Sequence, residues 1–193
     1  MSIFPRLTFA FLPLAIPLLA SGQPGSLPPA FRGHHAQHSS QWKRDPAPLI
    51  QKVRSATARF RDINVAIAEG WVPATPCVSG PNEGAMGVHY VQPTRIGDGL
   101  LSADQPEALI YEPLPGGKAR LVGVEFIEIA EVWDSQNDGA AVLEGHLLNL
   151  VGFPNRYGLP AFYELHVWGW ATNPNGNFAD WNTLVSCNSQ QGD

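Results

Sequence analysis

Two side chains of complementary chemistry stand two residues apart in the run FYELHVWGW, residues 162–170: the carboxylate of Glu164 and the imidazole of His166. In an extended strand the side-chain period of two puts Phe162, Glu164, His166, Trp168 and Trp170 on one face, and Tyr163, Leu165 and Val167 on the other. A second imidazole, His89, lies between Val88 and Tyr90, and a second carboxylate, Glu125, between Val124 and Phe126. Burying such groups without partners costs several kcal/mol, so they must meet one another, meet a cation, or face water.

Imidazole nitrogen and carboxylate oxygen together form the donor set of Zn, Cu, Mn and Fe sites. The metal reading therefore takes one divalent transition metal held by His89, Glu125, Glu164 and His166, with His146 of the Glu144-Gly145-His146 segment as a further candidate. In an enzymatic version the metal polarises a substrate or activates water or oxygen, with one carboxylate as ligand or base. Two other readings stay open. One is a structural hydrogen-bonded Glu–His pair. The other is a site for a small organic ligand lined by Tyr90, Trp168 and Trp170, including a sugar flanked by two carboxylates and stacked on indole rings.

These residues need a scaffold. Leu49, Val53, Ala56, Phe60, Ile63 and Ile67 recur at alternating spacings of four and three, which predicts one long amphipathic helix between Pro46 and Gly70, about 22 residues and 33 Å long. After Pro76, the segments 87–91, 108–112, 120–130 and 162–170 are rich in β-branched and aromatic residues and bounded by Gly, Pro and Asn, as strands are. No second long helical period separates them, which disfavours parallel βαβ construction. The expected fold is α+β and mainly antiparallel: a small, partly closed β-barrel or sheet with the helix packed on it.

The ends of the chain read differently. Arg6, an apolar run from Leu7 to Ala20 and the small residues Ala20-Ser21-Gly22 have the pattern of a signal peptide over residues 1–22. That run is too short for a spanning helix, so no stable membrane anchor is expected once it is removed. Residues 23–46, with His34, His35 and His38, read as a flexible Pro/Gly/Ser-rich leader, residues 47–187 as one domain, and 188–193 as a tail. The two cysteines, Cys77 and Cys187, are expected to form one disulfide in a secreted or periplasmic protein. Charge is uneven: seven Lys/Arg and one acid lie in residues 23–61, against four bases and sixteen acids in 62–193. A basic helix against an acidic body accounts for this without a nucleic-acid partner. GxSxG, GxxxxGK[ST], GxGxxG and HExxH motifs are all missing, so nucleotide binding, α/β-hydrolase and zincin chemistry have no support.

The runs MGVHYV (86–91), PEALIYEP (106–113), LVGVEF (121–126), PNRYG (154–158) and YELHVW (163–168), with DWN (180–182) and VSC (185–187), resemble a family of small exported proteins. The resemblance covers about residues 50–187. It implies a shared fold and brings no activity, cofactor or substrate. It places a further histidine near the position of Asn149; here Asn149 stands there and His146 lies nearby. The functional expectation is an exported protein whose cavity holds a mononuclear metal, the alternatives being a non-enzymatic small-molecule or carbohydrate binding module, or a structural envelope protein.

Overall fold

The computed structural model describes residues 47–190, which belong to one compact unit, Asp45–Asp193. The expected signal peptide, the leader with its three histidines, and residues 191–193 of the tail lie outside the described residues.

The apolar stripe of residues 49–67 does not form one helix. Helix α1 (Pro48–Thr57) starts with proline in its first turn, where the missing N–H costs nothing, and is followed by a 3-10 turn (Ala58–Arg61) and a short helix α2 (Ile63–Ala68). Side chains that compete for the backbone make the break. The Thr57 hydroxyl donates to the Val53 carbonyl at 2.6 Å, and Asp62 turns extended (φ −92°, ψ 110°) so that its carboxylate accepts the Asn64 N–H at 3.0 Å. Aspartate is worth more as an N-cap than inside a helix. The carbonyl of Phe60, freed by the break, accepts the Tyr111 hydroxyl at 2.6 Å. Leu49, Val53 and Phe60 still reach the core, whereas Ile67, last in the stripe, is 53% exposed.

The strands are β1 (Val72–Pro73), β2 (Val78–Gly80), β3 (Gly84–Val91), β4 (Ala108–Leu114), β5 (Lys118–Ile129), β6 (Val142–Leu143), β7 (His146–Leu147), β8 (Asn149–Val151) and β9 (Phe162–Val167). Helix α3 (Ala130–Gln136) follows β5 directly. The main sheet runs β1-β3-β4-β5-β9-β8, with β2 also paired to β3; β6 and β7 form a separate ribbon, and every pairing is antiparallel. The sheet is open, not a partly closed barrel. Its edges, β1 with two residues and β8 with three, offer too few ladder bonds to join. No described helix is long and apolar enough to cross a membrane.

Strand alternation divides the side chains between two faces. Leu109, Tyr111, Val124, Phe126, Leu165 and Val167 pack with Leu49, Ile50, Val53 and Phe60 from the helices in the main core. The opposite face carries Ala108, Ile110, Glu125, Ile127, Phe162, Glu164 and His166, and the C-terminal segment crosses part of it. That segment is fixed twice. Ala85 and Asn182 exchange backbone hydrogen bonds at 3.1 Å, and Cys77 and Cys187 form a disulfide with a Cα–Cα distance of 5.6 Å. Gly84 permits the first contact: a Cβ there would lie 2.2 Å from the Asn182 carbonyl oxygen, and its φ of +86° suits glycine.

Candidate metal centre

The register brings the four chemistry-bearing residues to one place. Glu125 of β5 stands directly opposite His166 of β9, and Ile127 opposite Glu164. His89 of β3 pairs with Ile110 of β4, while the next same-face residue on β4, Ala108, pairs with Glu125. β3 and β5 are not neighbours, so His89 and Glu125 must lean toward each other over β4. The short side chain of Ala108 leaves that space clear.

His89 Nε2 lies 3.3 Å from Glu125 Oε2, and His166 Nε2 lies 4.0 Å from Glu125 Oε1. The two imidazoles meet edge to face with centroids 5.9 Å apart. One donor atom from each of His89, Glu125 and His166 falls within a common 4.8 Å, and so does one from each of Glu164, His166 and Asp180. All but Asp180 are buried, His166 completely. In spite of that burial, His89 Nε2, both nitrogens of His166 and Glu164 Oε2 make no hydrogen bond among the described residues.

The imidazoles are oriented by what surrounds them. Thr75, just after β1, receives the His89 backbone N–H on its hydroxyl oxygen at 3.3 Å and lies 3.2 Å from His89 Nδ1, leaving Nε2 aimed at Glu125. The ring of Trp168 stacks on His166 with centroids 6.3 Å apart and an interplanar angle of 21°, while its indole N–H donates to the Ala179 carbonyl. Gly123 lets the chain at Val167 and Trp168 come close, since a Cβ there would lie 2.8 Å from the Val167 carbonyl oxygen. Asp180 Oδ1, which accepts a hydrogen bond from Asn149 Nδ2, is 3.7 Å from His166 Nδ1.

Burial sets the protonation of the cluster. It lowers the pKa of His89 to about 4, and with the neighbouring His89 it lowers that of His166 to about 3, so both rings are neutral at physiological pH. Desolvation pushes Glu125 well above the usual carboxylate range, and the adjacent Glu164 pushes it further; Glu164 and Asp180 are also raised by burial. The His89–Glu125 contact is therefore not an ion pair. It joins a neutral imidazole to a carboxyl whose pKa is raised by burial and by the adjacent Glu164. Neutral imidazole is the metal-binding form, and a cation among these groups would reverse the carboxyl shifts.

His89 and Glu125 also line a cavity of about 370 Å³, walled mainly by Val91, Ile96, Ile127, Tyr157, Leu159 and Phe162. The other sequence candidates lie elsewhere. His146, in β7, meets Phe178 with ring centroids 4.0 Å apart and tilted by 35°, and belongs to neither donor group. Tyr90 points to the helix face of β3 and meets Tyr111 edge to face. The strand expected to run to Trp170 ends at Val167, because the Trp170 and Ala171 N–H groups turn to the Val122 carbonyl. Trp170 consequently leaves the face of His166, and its indole N–H donates to the Thr57 hydroxyl. Trp168 is 1% exposed and holds His166, so its ring is closed to a ligand. Sequence reasoning missed Thr75 and Asp180, which lie outside the main strands where no periodicity assigns a face. It missed Tyr157, Ile96 and Leu159 for the same reason.

No family model, curated protein or solved structure matches this chain.

Proposed function

We propose that the protein is an exported metal-binding protein whose centre holds one divalent transition ion through His89, His166 and Glu125. Glu164, beside Glu125, falls with His166 and Asp180 in the second donor group, and Asp180 Oδ1 lies 3.7 Å from His166 Nδ1. The observation that supports this reading is the set of orphaned nitrogens. Fully buried imidazoles normally satisfy their nitrogens, and leaving these unpaired is costly unless a cation accepts their lone pairs. Two imidazoles and one carboxylate suit Fe, Mn, Cu or Zn, and three ligands leave coordination positions open on the side of the cavity. Export is supported by the N-terminal sequence pattern and by the disulfide.

The test is metal content by elemental mass spectrometry, on protein carrying alanine at His34, His35 and His38 so that the leader contributes nothing. Near one ion per chain is expected after exposure to Zn, Cu, Mn and Fe in turn. His89→Ala and His166→Ala should each lose it while keeping the circular-dichroism spectrum of the parent, and His146→Ala should retain it. Folded parent protein that takes up no metal, or takes up as much without His89 and His166, would overturn the reading.

A further inference from the structure

The cavity beside the cluster differs from the other grooves of the molecule in what lines it. Val91, Ile96, Ile127, Leu159 and Phe162 give it apolar walls, Tyr157 adds an aromatic ring, and its ionisable groups besides that phenol are His89 and Glu125. The Tyr157 hydroxyl is turned to Met86 Sδ at 3.5 Å. Among the described residues neither Lys nor Arg borders the space, so none of these side chains offers a cation to an anionic headgroup. Sugars and phosphates are poorly matched to such a lining, since their many polar atoms would be desolvated without partners. The volume, about 370 Å³, is toward the lower end of the range of about 300–1,000 Å³ that accommodates small organic ligands.

His89 and Glu125 belong at once to the donor cluster and to the cavity wall, whereas His166 is fully buried behind them. A cation held by the three would therefore present its open positions to the apolar chamber. We infer that the cavity binds a small, mainly apolar or aromatic molecule carrying one oxygen-donor group, and that this group docks on the metal while the hydrocarbon part fills the chamber. This inference rests on the proposed metal centre. It adds the class of ligand, and it makes binding depend on both halves: without the metal nothing holds the polar end, and without the walls nothing distinguishes a large apolar group from a methyl.

The test uses the full chain loaded with Co(II), whose visible spectrum reports a change of ligand, with benzohydroxamate and acetohydroxamate as probes. They share the metal-binding group and differ in the apolar part. Cobalt content is measured before any probe is added, so failure of the metal centre is seen separately as the absence of cobalt, and it overturns the inference too. On loaded protein, benzohydroxamate should bind at least tenfold more tightly than acetohydroxamate and hardly at all after cobalt removal. Leu159→Trp, which fills the chamber, should abolish the preference while cobalt content stays at one per chain. Ile96→Phe tests the same wall if the first variant does not fold. Equal affinity for the two probes, a preference that survives both wall variants, or equally tight binding of benzohydroxamate without cobalt would overturn it.

Discussion

The two faces of the sheet are written by the same strands, one residue out of phase, yet they are built on opposite terms. On the helix face, Tyr90, Val124 and Leu165 enter a continuous apolar core closed by α1 and α2. On the other, their chain neighbours His89, Glu125 and His166 are just as deeply buried but lack partners for several polar atoms. The first face stabilises the fold. The second is tolerated because the first, with the disulfide, offsets the cost of burying polar groups. The apolar core and the polar cluster are thereby separated across the thickness of one sheet, and substitutions on the two sides should have different signatures.

The largest effect should come from the covalent tie on the polar face. Replacing Cys77 and Cys187 by serine opens a loop of 110 residues and should cost about 4 to 5 kcal/mol in denaturant unfolding, much of the stability of a domain this size. Next, Phe126→Ala on the helix face should cost about 3–5 kcal/mol with metal affinity unchanged in the folded fraction. Its counterpart one position away, Glu125→Leu, should behave differently: metal uptake is lost, while the metal-free protein loses only about 1–2 kcal/mol in the same unfolding assay, the cost of leaving His89 and Glu164 without their neighbour. If Glu125→Leu is instead as damaging as Phe126→Ala, the two faces are not functionally distinct.

A smaller effect should appear with pH at Glu107, a buried carboxyl outside the cluster that accepts the Ile127 N–H at 3.0 Å. Burial raises its pKa from 4.5 to about 8 in the folded protein. The unfolded chain gives up this proton first, so the stabilisation present below pH 4.5 is lost as pH rises, and the loss is complete above about 8. Glu107→Gln should flatten that decline in urea midpoints measured between pH 5 and 9; an unchanged slope would place the titration elsewhere. Finally, Asp180→Asn should weaken metal binding by about 10–100-fold without abolishing it, as loss of an orienting carboxylate does.

The clustering of His89, Glu125 and His166 was readable in sequence because alternation is a local property. His89 between Val88 and Tyr90, and Glu125 between Val124 and Phe126, announce their face without any knowledge of topology, and the actual register joins them to His166. The helix was misread for an equally local reason. The apolar spacing of residues 49–67 is helical throughout, but Thr57 and Asp62 hydrogen-bond to the backbone and break it, an effect that periodicity does not register. Sheet closure was not legible, since it depends on the lengths of β1 and β8 and on which edges meet. Nor were Thr75 and Asp180, whose positions follow from the path of the chain around His89 and the C-terminal crossing.

That crossing also fixes the order of events in the life of each molecule. His89 comes far earlier in the chain than the carbonyl of Ala179 that holds Trp168 against His166, and than Asp180 itself. The crossing is tied back to the early part of the chain by Ala85 and Asn182, and a contact that distant in sequence closes slowly and late in folding. A growing chain emerging N-terminus first can build the β3–β4–β5 meander well before it can complete the donor set. The finished arrangement thus depends on segments far apart in sequence: a chain stopped short of residue 179 keeps His89, Glu125 and His166 but loses the clamp that holds the last of them in place.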